Sequence, residues 1–190
     1  MFCDVNYVIR TTFTVISSRF YQRKYSLNAV TTIYGICTFQ DCDVFFKAIR
    51  IARIIRELDF ARYHFYDRTG IYDRSREVGI RSLQGSTLTV SFDIVPLFVP
   101  YKINTKLVYW DERSLFLEHE VITLHDGKMR CLVVSRQFAL PITNNSSKET
   151  TVNLLKYLPG SSRTPQCPQY IKEWLLSMKI NSEKLKKMSI

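Results

Sequence analysis

KAIRIARIIRELDFARYHFYDR, residues 47–68, reads as one helix of about six turns, and the rest of the chain can be placed around it. Ile51, Ile55, Leu58 and Phe65 recur at intervals of three, four and seven, which draws a single apolar stripe. Arg50, Arg53, Glu57, His64 and Arg68 fall away from that stripe. Gly70 predicts a left-handed cap just past the helix end, where a side chain would be strained. Before the C-terminal tail no other segment reads as a long helix, and several strand-like runs follow. The pattern therefore predicts a helix covered by a sheet.

Upstream, residues 30–39 are rich in β-branched and aromatic side chains and read as a first strand. The acidic turn at residues 40–43 leads into the helix, with Asp41 or Asp43 as its cap, because a carboxylate there meets unpaired amides and the positive end of the dipole. Residues 1–28 form an N-terminal extension. Val5, Val8, Ile9, Phe13, Ile16 and Phe20 share a side, while Arg10, Arg19, Arg23 and Lys24 supply charge. Two readings stay open: a helix lying in a membrane interface, or one docked on its own domain. Its apolar runs are far shorter than the roughly 20 residues a bilayer span needs, and it lacks the basic start and small-residue cleavage site of a signal peptide.

Downstream, residues 73–81 are a charged stretch. Residues 87–95 then place Leu88, Val90, Phe92 and Ile94 on alternate positions and predict a half-buried strand ended by Pro96 and Pro100. Residues 102–110 and 114–124 flank the short turn Asp111, Glu112, Arg113; the turn Asp126-Gly127 leads to a last strand over residues 128–140. These segments make a meander spanning the domain at residues 29–141. The remainder, residues 142–190, reads as a polar linker, a short helix over residues 150–158 and a final amphipathic helix, Gln169–Met188. In that last helix Ile171, Trp174, Leu175, Met178 and Leu185 oppose a Lys-rich side.

A length of 190 residues fits one domain with terminal extensions, and a formal net charge of +10 favours contact with acidic surfaces without choosing among phosphate, lipid and nucleic acid. Cys3, Cys37, Cys42, Cys131 and Cys167 contain no CxxC pair, and no His stands at ligand spacing, so reduced thiols are expected and neither a metal nor another cofactor. No aromatic-plus-basic strand motif of the RNA-recognition kind is present, so no nucleic-acid partner is expected.

A strand, a central helix and four antiparallel strands is the element order of a hotdog fold, an α+β architecture in which a curved sheet of about five strands wraps one long helix. At Glu57-Leu58-Asp59-Phe60-Ala61-Arg62, after Asp41-Cys42-Asp43, the chain resembles the hotdog thioesterases related to hydroxybenzoyl-CoA thioesterase. It is similar above all to the family of thioesterase superfamily member six, through Asp4-Val5-Asn6-Tyr7, Tyr109-Trp110-Asp111-Glu112-Arg113, Leu124-His125-Asp126-Gly127 and the tail from Trp174 to Leu185. The resemblance implies an acyl thioester ligand, ideally fatty acyl-CoA, a homodimer through edge strands, and a cytoplasmic or endoplasmic-reticulum membrane-associated location.

The departures sit where chemistry is expected. In place of the family's His-x-Asn-Asn segment the chain reads Lys47, Ala48, Ile49, Arg50, or the same one residue later, and Ile54 replaces a Tyr. The family's hydrophobic N-terminal segment also looks shortened. Thioester hydrolysis needs a carboxylate to activate water or attack the carbonyl carbon, and amides to hold the oxyanion. Asp43 matches the pre-helix Asp and is the first candidate, against the bland role of helix cap. Glu57 and Asp59 follow, each with a structural alternative at helical spacing, Glu57 to Arg53 and Asp59 to Arg62. Lys47, Ala48, Ile49 and Arg50 are the candidate ligand-binding segment, with Lys47, Arg50 and Arg53 facing coenzyme A phosphates or only solvent. His64, His119 and His125 are scattered and form no visible nucleophile pair. Two functions remain: a hydrolase, or a non-catalytic acyl-lipid binder at a membrane surface that keeps the fold without the active-site segment.

Overall fold

The computed structural model describes residues 24–142, 150–162 and 164–188. In chain order the elements are β1 (Thr31–Ile36), a 3-10 turn (Phe39–Asp41), α1 (Ile51–Thr69), α2 (Ile71–Glu77), β2 (Ile80–Ser91), β3 (Pro100–Trp110), β4 (Ser114–Thr123), β5 (Met129–Pro141), α3 (Thr150–Leu155) and α4 (Gln169–Met188). The amphipathic extension expected over residues 1–28 lies outside the described residues as far as residue 23, and residues 24–28 are irregular with one turn.

The five strands form one antiparallel sheet in the order β1-β3-β4-β5-β2, which leaves β1 and β2 as edges. Alternation assigns the two faces. Tyr101, Ile103 and Leu107 of β3, Leu115, Leu117 and Val121 of β4, and Cys131, Val133 and Ala139 of β5 are buried in two clusters shared with α1. On the opposite face Phe116 and Val134 pack with Ile171, Trp174 and Leu175 of α4. The central helix therefore lies against one side of the sheet and the C-terminal helix against the other. This is the hotdog arrangement expected from element order.

Helix α1 begins at Ile51, four residues after the expected start. The reason is long-range pairing. Ile49 N–H donates to Val95 O, Arg50 N–H donates to Asp41 O, and Cys42 with Ile49 and Ala48 with Pro96 form β-bridges. Residues committed to these bonds cannot also wind into a first turn. The N-cap is Arg50, with no side-chain cap bond, so neither Asp41 nor Asp43 caps the helix. The buried stripe is also offset: Ile54, Leu58, Ala61 and Phe65 are at most 4% exposed, whereas Ile51 is 40% exposed. Burying a large apolar side chain is worth about 1.5–3 kcal/mol, so this stripe anchors the helix. Gly70 closes it at φ 81 as expected, its N–H donating to Asp67 O.

Two segments differ from the sequence reading. The helix Ile71–Glu77 takes in the first half of the charged stretch, and β2 starts at Ile80 and ends at Ser91. Leu88 faces α4, and Val90, Phe92 and Ile94 are exposed, so this alternation marks the outer side of the sheet and its edge rather than the face toward α1. Gly85 sits at a bulge in β2, where an added Cβ would lie 2.2 Å from the Phe138 ring. Only glycine allows that ring to cross the strand.

Candidate functional site

The amino end of α1 gathers most of the charged side chains singled out above. The 3-10 turn carries Asp41, which is buried, and its Oδ2 accepts hydrogen bonds from Thr38 N (2.8 Å) and Thr38 Oγ1 (2.6 Å). Its Oδ1 meets Arg53 Nε at 2.6 Å, and Arg53 Nη2 lies 3.0 Å from Glu57 Oε1. Arg53 is thus held between a carboxylate one turn ahead on its own helix and one delivered by the turn after β1. Arg50 adds a brace, its Nη2 donating to Gln40 O. Ions taken out of water cost several kcal/mol each, and here the opposite charges of Asp41 and Glu57 on either side of Arg53 offset that cost.

A cleft of about 470 Å³ opens beside this network, lined by Tyr34, Gly35, Ile36, Thr38, Asp41, Arg53, Pro100 and Leu124. Ile36, Pro100 and Leu124 give it apolar wall, Tyr34 and Thr38 add polar groups, and its charged residues are Asp41 and Arg53.

Asp43 heads the next loop. Its Oδ1 accepts the Lys47 N–H at 2.9 Å, its own N–H donates to Ala48 O, and its O accepts from Phe46 N. Among the described residues Oδ2 has no hydrogen-bond partner. The loop exposes Val44, Phe45 and Phe46 at 87, 77 and 55%. Phe39 packs edge-on against Phe46 and Phe98, and both Phe46 (φ 54) and Phe98 (φ 60) take the left-handed conformation that non-glycine residues avoid.

Among the ligand-binding candidates, Ala48 and Ile49 are buried while Lys47 and Arg50 are exposed. The amides of Lys47, Ile49 and Arg50 are already bonded, to Asp43 Oδ1, Val95 O and Asp41 O. The helix's own bonds begin with the N–H groups of Arg53 and Ile54, both donating to Arg50 O. Among the described residues that leaves the Ile51 and Ala52 amides as the open donors of the first turn. The catalytic candidates separate. Glu57 is buried against Arg53, and Asp59, two residues further, pairs with Arg62 at 3.0 Å with its side chain 31% exposed. Both helical pairings anticipated from spacing are present, and Asp43 stands apart from them on the loop.

This geometry, a carboxylate-bearing loop before a central helix wrapped by a five-stranded sheet, is matched outside the chain. The description "Thioesterase-like superfamily" fits residues 37–175. Protein THEM6 of Drosophila melanogaster is 42% identical over 184 residues, covering 97% of this chain and 92% of that protein. The chain belongs to the THEM6 family of the thioesterase-like superfamily. Protein THEM6 of Xenopus laevis is 24% identical over 183 residues, covering 96% and 85%. Among solved structures, the 1,4-dihydroxy-2-naphthoyl-CoA thioesterase Slr0204 of Synechocystis superposes with a TM-score of 0.55 at 5% identity, covering 68% of this chain and 98% of that one. The YbaW "Probable Thioesterase" of Escherichia coli gives 0.56 at 12% identity, covering 61% and 86%. At such identities the superpositions speak for the hotdog fold alone.

The sequence reading missed a polar belt beneath α1. His119, fully buried on β4, has Nδ1 3.0 Å from Thr105 Oγ1 on β3 and Nε2 3.0 Å from Ser135 Oγ on β5. Gln137 continues the row, its Oε1 accepting from Arg62 Nη1 at 3.2 Å. Burial first, and then the nearby Arg62 charge, push the His119 pKa down to about 3. It is a neutral core histidine, and its contact with Ser135 is a structural bond sealed from solvent. The signal for it is the inward register of Thr105, His119 and Ser135, visible only once the strands are paired.

Proposed function

We propose that the chain binds acyl thioesters, with fatty acyl-CoA as the intended class, at the amino end of α1, and hydrolyses them with Asp43 as general base. The observation that carries this reading is the placement of Asp43. Its carboxylate accepts the Lys47 amide in the loop before a helix whose first-turn amides, Ile51 and Ala52, have no hydrogen-bond partner among the described residues. In the proposed step Asp43 takes a proton from water, the water oxygen attacks the thioester carbon, and the first-turn amides hold the oxygen as it gains charge. The tetrahedral species then collapses with loss of the thiolate. Lys47 and Arg50, both exposed beside that turn, supply positive charge for the phosphates of coenzyme A.

Two copies pair through β2 in this reading. Residues 82–91 of that edge strand carry no charged side chain, so the strand lacks the usual guard against edge-to-edge pairing.

A second reading is favoured by one specific observation. The amides of Lys47, Ile49 and Arg50 are committed within the chain, and the loop ahead of them exposes Val44, Phe45 and Phe46 next to two cations. That combination suits a non-catalytic acyl-lipid binder resting on an anionic membrane.

The test is coenzyme A release from a panel of acyl-CoA esters, followed chromatographically with purified protein. Turnover is expected, and Asp43→Asn lowers it by on the order of a hundredfold or more, the usual contribution of a positioned base. Saturable binding without turnover selects the second reading. Neither binding nor turnover for any chain length overturns both.

A further inference from the structure

Cys37 and Cys42 bracket the turn that carries Asp41, and their sulfur atoms are 3.4 Å apart. Both are buried, at 0 and 5% exposure. The backbone on each side is pinned. Cys37 exchanges hydrogen bonds with residues 98 and 99 at the end of β1, and Cys42 pairs with Ile49 ahead of α1. A disulfide needs the sulfurs only about 1.4 Å closer, within reach of small side-chain rotations and no change of backbone register. Metal binding does not explain the pair, because no group of three or more His, Cys, Asp or Glu suited to a metal ion occurs among the described residues.

We propose that Cys37 and Cys42 form a reversible intramolecular disulfide site, oxidised by peroxides and reduced by thiols. Burial first, then the contact with Cys42 and the negative charges around it, push the Cys37 thiol up to about 12, so Cys37 keeps its proton. Cys42, the slightly exposed member, is the sulfur that meets the oxidant. Its thiolate attacks a peroxide oxygen, the O–O bond breaks, and hydroxide leaves to become water, giving a sulfenic acid. The Cys37 sulfur then attacks Cys42 sulfur with loss of its proton, the S–O bond breaks, and a second water departs. Two thiols give up two hydrogens, and one hydrogen peroxide becomes two waters. The bond staples both ends of the turn that holds Asp41 against Arg53, so the oxidation state is transmitted to the wall of the cleft.

The experiment requires no activity. The full-length protein is exposed to hydrogen peroxide, denatured, alkylated and digested with trypsin. Residues 25–47 form one tryptic peptide holding both cysteines and no internal Lys or Arg. The expected result is that this peptide loses both alkyl groups and runs two hydrogens lighter than its reduced form, with dithiothreitol restoring double alkylation. In a Cys42→Ser variant whose melting curve matches the parent, Cys37 remains alkylated under the same exposure. The proposal is overturned if the parent peptide stays doubly alkylated, if Cys42 gains two oxygens irreversibly, or if oxidation yields only disulfide-linked dimers.

Discussion

Replacing Arg53 by Ala destabilises the protein by about 3–5 kcal/mol, the usual cost of removing one member of a buried ion network. The size follows from what is left behind. Asp41 and Glu57 have side chains only 8 and 2% exposed, and both lean on the Arg53 guanidinium, at 2.6 and 3.0 Å. Without it two little-exposed carboxylates, Asp41 on the cleft wall and Glu57 on the helix, lose that guanidinium. Arg53→Lys recovers part of the loss, since one ammonium cannot match the two separate arms that Arg offers. Asp41→Asn, Arg53→Met and Glu57→Gln combined are milder than Arg53→Ala alone, because no ion is then stranded. Urea unfolding curves with unchanged slope measure all three. A loss below about 1 kcal/mol for Arg53→Ala, the range of an exposed pair, shows the network to be solvated instead.

The second large effect is on acid stability. His119 has an ordinary pKa of 6.5 when the chain is unfolded and about 3 in the folded core, lowered first by burial and then by Arg62. The folded state therefore resists a proton that the unfolded state accepts. Its contribution to stability is fully present above pH 6.5 and is lost as pH falls from 6.5 toward 3, at about 1.4 kcal/mol per unit. His64 acts with the same sign, its pKa lowered by burial and by Arg68. Between pH 6.5 and 5, above the carboxylate range, the unfolding free energy should fall steeply, and His119→Gln should remove much of that slope while keeping a polar group between Thr105 and Ser135. An equal slope in the variant contradicts the assignment.

What the sequence made legible tracks where one face of an element is dry. In β3, β4 and β5 every second residue enters the core under α1, so Ile103, Leu107, Leu117 and Val121 announce both strands and register. The first half of β2 is exposed along residues 81–85, and with no dry face there is no alternation to read. The helix starts later than its periodicity implies for a different reason. Lys47, Ala48, Ile49 and Arg50 have acceptable helical propensity, but bonds to Val95 and Asp41 from outside the helix hold them extended. At the site the same division holds. The pairings of Arg53 with Glu57 and of Asp59 with Arg62 follow from helical spacing alone, whereas the Asp41 contact depends on how the turn after β1 folds back. His119 looked isolated because its two partners are 14 and 16 residues away, on neighbouring strands.

The placement of an acyl thioester at the amino end of α1 is tested most directly by backbone hydrogen exchange with and without a saturating thioether analogue of a fatty acyl-CoA, which binds but cannot be hydrolysed. The account predicts slowed exchange in residues 41–54 and in the adjoining loop at residues 95–99. Slowing confined to the outer face of the sheet under α4, or none at all once binding is saturated, would contradict it.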